Sequence, residues 1–168
     1  MHVSNYPRVQ LVVPVFGVLA LNPNDPRQFF ISFVLLWIVV GFIVAQLSGW
    51  AELATHYRST NPFEGQRLRF RSSKMRLSMR YNNCLTVGLS HQGIYLAVLF
   101  PFRIGHPPLI IPWKDISTTA GKTLFWSWVE CRFQQAPSVW IRFYGKLGDE
   151  ILSASQTLSA TPTHFIQA

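Results

Sequence analysis

The sequence predicts an α+β membrane protein in which an N-terminal transmembrane helix precedes a small antiparallel β roll or sandwich. Two observations predict this fold class. Residues 29–47 carry no charge, and at about 1.5 Å per residue their length approaches the ~30 Å hydrocarbon core of a bilayer. After residue 66 the apolar residues alternate with polar ones, which is the period of a half-buried strand. The chain has 168 residues, so about 100 remain for one domain outside the membrane.

An apolar run at residues 9–21 precedes the predicted span, and a proline and a glycine interrupt it. The run is short for a straight span, so residues 1–28 are predicted to be an apolar interfacial segment, in which the run is interfacial, re-entrant or a strand-like piece packed on the rest of the protein. A complete second span and a cleaved secretory signal are the alternatives. Asp25 and Pro26 fit an N-cap and a first helical position. The transmembrane helix at residues 29–47 is therefore predicted to lie within a longer helix that starts at Pro26.

This helix is expected to continue past the hydrocarbon to residue 58, because apolar side chains recur at spacings of three and four up to Tyr57. Trp50 and Tyr57 then fall where aromatic side chains anchor a helix at the headgroup level. Only Arg8 and Arg27 stand before the transmembrane segment at residues 29–47, whereas Arg58 and a dense basic run follow it. The positive-inside rule therefore predicts a single-pass membrane protein with a cytoplasmic C-terminal domain.

The basic run is the strongest functional feature of the sequence. The formal net charge is +8, and cations next to a membrane helix lie within a Debye length of anionic lipid headgroups, where each is worth about 1 kcal/mol. The alternative is that these residues form the solvent-exposed face of a strand and bind no ligand. Nucleic-acid binding is not expected, because no recognition motif accompanies the charge. The predicted membrane-surface residues are Arg67, Arg69, Arg71, Lys74, Arg76 and Arg80.

A β-rich domain at residues 67–160 is predicted to follow a linker at residues 59–66. The apolar parity of its first strand changes at the two serines of residues 72–73, which predicts a bulge or a turn, and the asparagines of residues 82–83 predict a turn. The remaining expected elements are strands at 84–90, 94–100, 109–113, 123–133 and 139–144, a hairpin loop at 91–93, a proline-rich loop at 101–108 and a turn region at 117–122.

One part of this domain resembles a known family. The segment GLSHQGIYLAVLF, followed by a loop and then LIIPWKDIS, covers residues 88–117. It resembles the hairpin and Ile-Pro-Trp step of bacterial pleckstrin-homology-like and GRAM-like domains. The resemblance implies a seven-stranded roll capped by one helix, in a module that binds lipids or proteins and is seldom an enzyme. A weak apolar stripe from residue 147 could form that C-terminal helix, and residues 161–168 are expected to be loose.

Two groups of side chains are candidates for binding a partner. Phe102, Arg103 and His106 lie in the proline-rich loop, which would otherwise serve as a stiff connection. Trp126 and Trp128 share a predicted strand face with charged residues. An exposed aromatic interface and packing against the helix or linker are equal alternatives for these two tryptophans.

The sequence gives no support for catalysis, a cofactor or a metal. Its histidines and carboxylates form no acid–base pair by spacing, and Cys84 and Cys131 stand outside any CxxC pattern. The expected function is a membrane-anchored, non-catalytic module that holds a basic β domain at the cytoplasmic surface of the lipid bilayer. It would bind anionic lipid headgroups or a membrane protein partner. The alternative is a small accessory or assembly subunit of a larger membrane protein complex.

Overall fold

The computed structural model describes residues 25–124 and 126–159. The predictions for residues 9–21 and 161–168 lie outside these ranges. The described residues confirm the α+β class, with an apolar N-terminal helix, a curled antiparallel sheet and a C-terminal helix. The helices are α1 (Pro26–Ser48), α2 (Trp50–Tyr57) and α3 (Gly145–Ser159), and the strands are β1 (Arg67–Met75), β2 (Met79–Leu89), β3 (Gly93–Val98), β4 (Leu109–Pro112), β5 (Ile116–Lys122), β6 (Ser127–Phe133) and β7 (Ala136–Tyr144).

The chain divides between Leu36 and Trp37 into two compact units. In the described part of the first unit, Asp25 Oδ1 accepts a hydrogen bond from the Arg27 backbone N–H at 2.9 Å. This is the geometry of an N-cap, so the helix begins where the sequence predicts. The second unit contains the second half of α1 and all the later elements.

α1 is long and apolar enough to cross a membrane. Its most apolar window has a mean hydropathy of 2.6, and 6% of that window is buried. Large apolar side chains along this helix are exposed: the exposed fraction is 55% for Phe42 and 51% for Ile43. A helix with this much exposed apolar surface is unlike the buried core helix of a water-soluble domain.

The prediction of one continuous helix to residue 58 is wrong, because the helix breaks at Gly49. Gly49 has a φ of +85°, in the left-handed region that glycine adopts most easily. A Cβ at this position would lie 2.6 Å from Val139 Cγ2. The adjacent Ser48 Oγ accepts a hydrogen bond from the Trp50 backbone N–H at 3.3 Å. The chain therefore changes direction after Ser48, and α2 is a separate helix.

The curled sheet has the strand order β4-β3-β2-β1-β7-β6-β5. Its two halves are joined by β1, which pairs with β2 and, at Lys74 and Met75, with β7. α2 packs against β4 and β7, and α3 packs against β5, β6 and β7. Trp50 and Leu53 of α2 are fully buried in the same core as the strands. The hydrophobic core of the β domain thus includes residues before the predicted boundary at residue 67.

The first hairpin turns at a place that the sequence did not predict. Met75 pairs with Met79, so the turn is formed by residues 76–78, two of which have a positive φ. The predicted change at residues 72–73 corresponds to a register shift within β1. The predicted turn at residues 82–83 is wrong, because both asparagines lie inside β2. The β1–β2 register is irregular beside these asparagines, Asn83 has a φ of +51°, and its backbone N–H donates to Ser72 Oγ at 2.9 Å, so the strand continues through a bulge instead of turning.

The predicted turn region at residues 117–122 is also wrong, because these residues form β5. β5 pairs with β6 along its whole length, and Gly121 stands opposite Trp128. The indole of Trp128 occupies the space that a Cβ on Gly121 would need. The turn follows instead, where Thr123 and Trp126 exchange backbone hydrogen bonds of 2.8 and 3.3 Å. β6 is consequently shorter than the predicted strand.

Several predicted elements are confirmed. Ser90 and Gly93 exchange backbone hydrogen bonds of 3.1 and 3.3 Å, which closes the predicted hairpin between β2 and β3. Residues 101–108 form the predicted loop, and β4, which ends in a proline, is an edge strand as that proline suggests. The C-terminal helix is present and buries Ile151.

Candidate functional site

The six predicted cationic residues do not form one patch. Arg76 Nη1 donates to Glu52 Oε2 at 2.8 Å. The Arg67 guanidinium carbon lies 5.8 and 5.4 Å from the ring centroids of Phe63 and Tyr95. These two arginines therefore stabilise contacts within the domain. The other four are the exposed Arg69, Arg71 and Arg80 and the half-buried Lys74.

Two of those four belong to a row of charges that crosses the sheet. Lys74 in β1 is the direct partner of Arg80 in β2 and of Arg142 in β7, and Arg142 is the partner of Glu130 in β6. Because the next residue, Met75, is buried, Lys74 lies on the opposite, outer face. Like charges directly across a strand pair are destabilising. An anion beside Arg80 and Lys74 would relieve that repulsion.

Arg142 is the member of this row that sequence reasoning missed. Its guanidinium carbon lies 4.1 Å from the ring centroid of Trp128 and 5.4 Å from that of Trp140. Its Nη2 donates to Glu130 Oε2 at 2.7 Å, and Glu130 Oε1 accepts from Arg132 Nε at 3.0 Å. No local pattern could reveal this row, because its members come together through long-range strand pairing.

The two predicted interface tryptophans lie in different surroundings. Trp128 is half-buried against Arg142. Trp126 lies in the β5–β6 turn and is 67% exposed, and Leu124 in the same turn is 84% exposed. The exposed apolar feature is thus the tip of a hairpin and not a strand face.

Trp50 and Tyr57 are core residues, which corrects the prediction that they anchor the helix at the headgroup level. Trp50 is fully buried, and its Nε1 donates to the Pro107 carbonyl at 2.9 Å. The hydroxyl of Tyr57, which is also buried, accepts a hydrogen bond from the Gln135 backbone N–H at 3.2 Å. A headgroup anchor must reach the interface, and buried side chains do not.

The proline-rich loop at residues 101–108 lies along the second half of α1. The rings of Trp37 and Phe102 are 5.3 Å apart between centroids, and Trp37 Nε1 donates to the Pro101 carbonyl at 3.4 Å. A Cβ on Gly41 would be 3.2 Å from the Ile104 carbonyl oxygen. The small residue on the helix therefore allows the loop backbone to approach closely.

The tip of this loop is apolar and exposed. Phe100 is 90% and Phe102 48% exposed, and Arg103 beside them is exposed as well. The three prolines of the loop have no N–H, and the N–H groups of Phe102 and His106 donate to the carbonyls of Leu99 and Arg103 at 2.8 and 2.9 Å. These prolines and the two bonded N–H groups lower the cost of placing this part of the backbone in an apolar surrounding.

His106 belongs to a buried hydrogen-bonded cluster, which corrects its prediction as a docking residue. Its Nδ1 donates to the Ile104 carbonyl at 2.8 Å, and its Nε2 lies 2.9 Å from the Tyr81 hydroxyl. That hydroxyl is also 2.8 Å from Ser48 Oγ, at the end of α1. Burial lowers the pKa of His106 and raises the pKa of Tyr81 to about 12, so both groups are neutral at pH 7. The cluster joins the loop, β2 and the end of α1.

A groove of about 390 Å³ opens between α1, β2 and this loop. Its walls are mostly apolar and include Val40 and Val44 of α1, Met79 of β2 and Ile104 of the loop. Arg80 also lines the groove and is charged, whereas His106 in the same lining is neutral at pH 7. The groove thus combines an apolar interior with one end of the cationic row.

Among residues 25–124 and 126–159, no group of three or more His, Cys, Asp or Glu side chains could hold a metal ion. Comparison with known proteins finds neither a family model that matches this chain nor a curated protein with significant similarity. The features of the molecule that bear on its function are the apolar helix, the proline-rich loop, the groove and the cationic row.

Proposed function

We propose that this protein is a membrane-anchored, non-catalytic binding module whose β domain sits at the cytoplasmic membrane surface and binds anionic lipid. The observation that carries the proposal is the apolar surface that continues from α1 onto the tip of the proline-rich loop. Phe102 of the loop contacts Trp37 of α1, and the nearby Phe100 is 90% exposed. Exposure of apolar surface to water costs about 25 cal/mol per Å², whereas lipid chains cover the same surface without that cost.

The end of α1 sets the height of the domain on the bilayer. Because the Tyr81 hydroxyl lies 2.8 Å from Ser48 Oγ, the adjacent Arg80 lies near the level at which α1 ends. The cationic row continues from Arg80 to Lys74 and Arg142. At headgroup height each of these cations contributes about 1 kcal/mol of attraction to anionic lipid.

Lipid selectivity of the full chain tests this role. In vesicles of phosphatidylcholine and phosphatidylglycerol, spin-labelled phosphatidylglycerol should associate with the protein in preference to spin-labelled phosphatidylcholine, and salt should weaken the preference. The double variant Lys74→Gln/Arg80→Gln should reduce the preference at least about fivefold. The control variant Lys122→Gln/Lys146→Gln removes two exposed lysines outside the row. Equal preference in both variants would contradict the proposal.

We place the β domain in the cytoplasm because the Lys and Arg residues lie mainly after α1. Protease treatment of oriented vesicles tests this topology. Digestion from the cytoplasmic side should remove the C-terminal domain, and cleavage only from the opposite side would contradict the assignment.

The resemblance to pleckstrin-homology-like and GRAM-like domains supports a binding function. The number of strands, the curled sheet and the C-terminal helix agree with what the resemblance implies. α3 packs on β5, β6 and β7 and buries Ile151. We propose on these grounds that the β domain is of this type and that it recognises a ligand without transforming it.

A second candidate function is that of an accessory or assembly subunit of a larger membrane protein complex. The exposed Leu124 and Trp126 at the β5–β6 turn favour it, since exposed apolar side chains mark interfaces. Purification in mild detergent should then recover a second protein, which the variant Leu124→Ser/Trp126→Ser releases. Recovery of this chain alone would count against the subunit role.

A further inference from the structure

We propose that the groove between α1, β2 and the proline-rich loop holds one acyl chain of an anionic phospholipid whose phosphate lies at Arg80. The inference rests on the proposed insertion of α1 into the bilayer and identifies the ligand of the domain more closely. Four features of the groove support it: its position along the helix, its lining, its charged end and its width.

The groove follows the part of α1 that would cross one leaflet. Its helical wall includes Trp37 and Val44, and α1 ends at Ser48. At 1.5 Å per residue the helix rises roughly 16 Å from Trp37 to Ser48, close to the ~15 Å depth of the hydrocarbon in one leaflet. The volume of about 390 Å³ lies within the range of ~300–1,000 Å³ that is typical of small-ligand sites.

The lining suits a hydrocarbon chain. Val40 and Val44 form one wall, Ile104 another, and Met79 adds an adaptable thioether. Val40 is 46% exposed, so the groove is open along the helix. In a bilayer this opening faces lipid chains. One of these chains can enter the groove without burying an unpaired polar group.

The charged end of the groove selects the headgroup. Arg80 lines the groove and stands opposite Lys74, which in turn faces Arg142 across β1 and β7. Of these three cations, Arg142 is neutralised by Glu130 at 2.7 Å. A lipid phosphate at Arg80 would offset the remaining repulsion between Arg80 and Lys74. The preferred lipid is therefore anionic as a whole, since a zwitterionic headgroup would bring its own cation to the same place.

The width of the groove favours a lipid chain over a helix of another protein. Helix α1 and the loop approach closely at Gly41, where an added Cβ would lie 3.2 Å from the Ile104 carbonyl oxygen, so the groove is narrow there. An α-helix with its side chains is about 10–12 Å across. An extended chain of methylene groups is much narrower and can follow the line between the two walls.

Native mass spectrometry of the full chain in mild detergent tests the inference, with 1-palmitoyl-2-oleoyl-phosphatidylglycerol and the matching phosphatidylcholine as probes. We expect the chain to retain one phosphatidylglycerol more tightly than any later one. Val40→Phe should fill the groove and weaken this first binding about tenfold, while Val39→Phe should not. Val39 is the matched control, because it is an exposed valine of the same helix that does not line the groove. Equal thermal unfolding of the two variants verifies that both are folded.

The charge is tested separately. Arg80→Gln should weaken the first phosphatidylglycerol about fivefold and phosphatidylcholine less, because choline already offsets the charge of its own phosphate, while Lys122→Gln changes neither. If Val40→Phe and Val39→Phe bind alike, the groove is not the lipid site. If Arg80→Gln weakens both lipids equally, Arg80 does not select an anionic lipid and that part of the inference is wrong. The inference would also be overturned if a co-purifying protein occupied the groove in place of the lipid. Alkaline carbonate extraction separates the two proposals: a chain that stays in the membrane but retains no single lipid disproves the groove alone, and a chain that is released disproves the membrane anchor.

Discussion

Replacement of Gly49 by alanine should destabilise the junction between α1 and α2 through two separate effects. Gly49 has a φ of +85°, and a residue with a Cβ in the left-handed region costs roughly 1–2 kcal/mol. The new Cβ would also lie 2.6 Å from Val139 Cγ2, a buried side chain, and overpacking of this kind costs about 1–3 kcal/mol. We expect the free energy of unfolding to fall by about 2–5 kcal/mol in total.

Gly145→Ala is the control for the backbone effect. Gly145 has a φ of +59°, and its added Cβ would meet nothing within 4 Å among the described residues, so the expected loss is only about 1–2 kcal/mol. Urea unfolding of the full chain in mild detergent, followed by tryptophan fluorescence, measures both losses. In a double-mutant cycle, Val139→Ala should relieve the overlap of Gly49→Ala by at least about 1 kcal/mol. Equal losses at the two glycines with no coupling to Val139 would refute this description of the junction.

Two further predictions concern His106 and the extent of the folded unit. Burial lowers the pKa of His106, so this histidine binds a proton more readily in the unfolded chain than in the folded one. The free energy of unfolding should therefore fall as the pH drops below about 6.5. Urea unfolding at pH 7.5 and 5.5 should show a smaller fall for His106→Gln, and equal falls would contradict the role of His106. A chain that starts at residue 60 lacks the buried Trp50 and Leu53, so circular dichroism in mild detergent should show no cooperative thermal transition. A chain that starts at residue 37 should show one. Similar transitions in both chains would show that α2 is dispensable.

The sequence is a good guide where one segment determines its own structure. The uncharged residues 29–47 give a helix without help from neighbours, because hydropathy and length suffice. Asp25 caps that helix through a bond to the Arg27 N–H. The hairpin at Ser90 to Gly93 follows from local turn chemistry.

The errors arise where long-range packing decides the structure. The residues of β5 are mostly small and polar, and they form a strand because β6 supplies partners along the whole length. Trp50 has the spacing of an amphipathic helix, but the break at Gly49 directs it into the core of the β domain. The sequence Ser48-Gly49 was the available sign of that break, since glycine is a poor residue for a helix interior.

The candidate site depends on tertiary structure even more strongly. Arg80, Lys74 and Arg142 are far apart in the sequence or on different strands, and only the antiparallel register aligns them. The proline-rich loop was recognised as a candidate from its composition, but its contact with Trp37 joins residues that are 64 or more positions apart. Spacing in the sequence carries no information on such pairs.

The depth of the loop in the bilayer tests the central claim most directly. A nitroxide attached after Phe102→Cys, in a Cys84→Ala background and in lipid vesicles, reports whether the loop lies among acyl chains. Cys131 can stay, because it is fully buried and its pKa is raised to about 12 by that burial. We predict that the label is accessible to oxygen and shielded from a polar nickel complex, whereas a label after Leu124→Cys is accessible to nickel. Equal access of nickel to both labels would contradict the account.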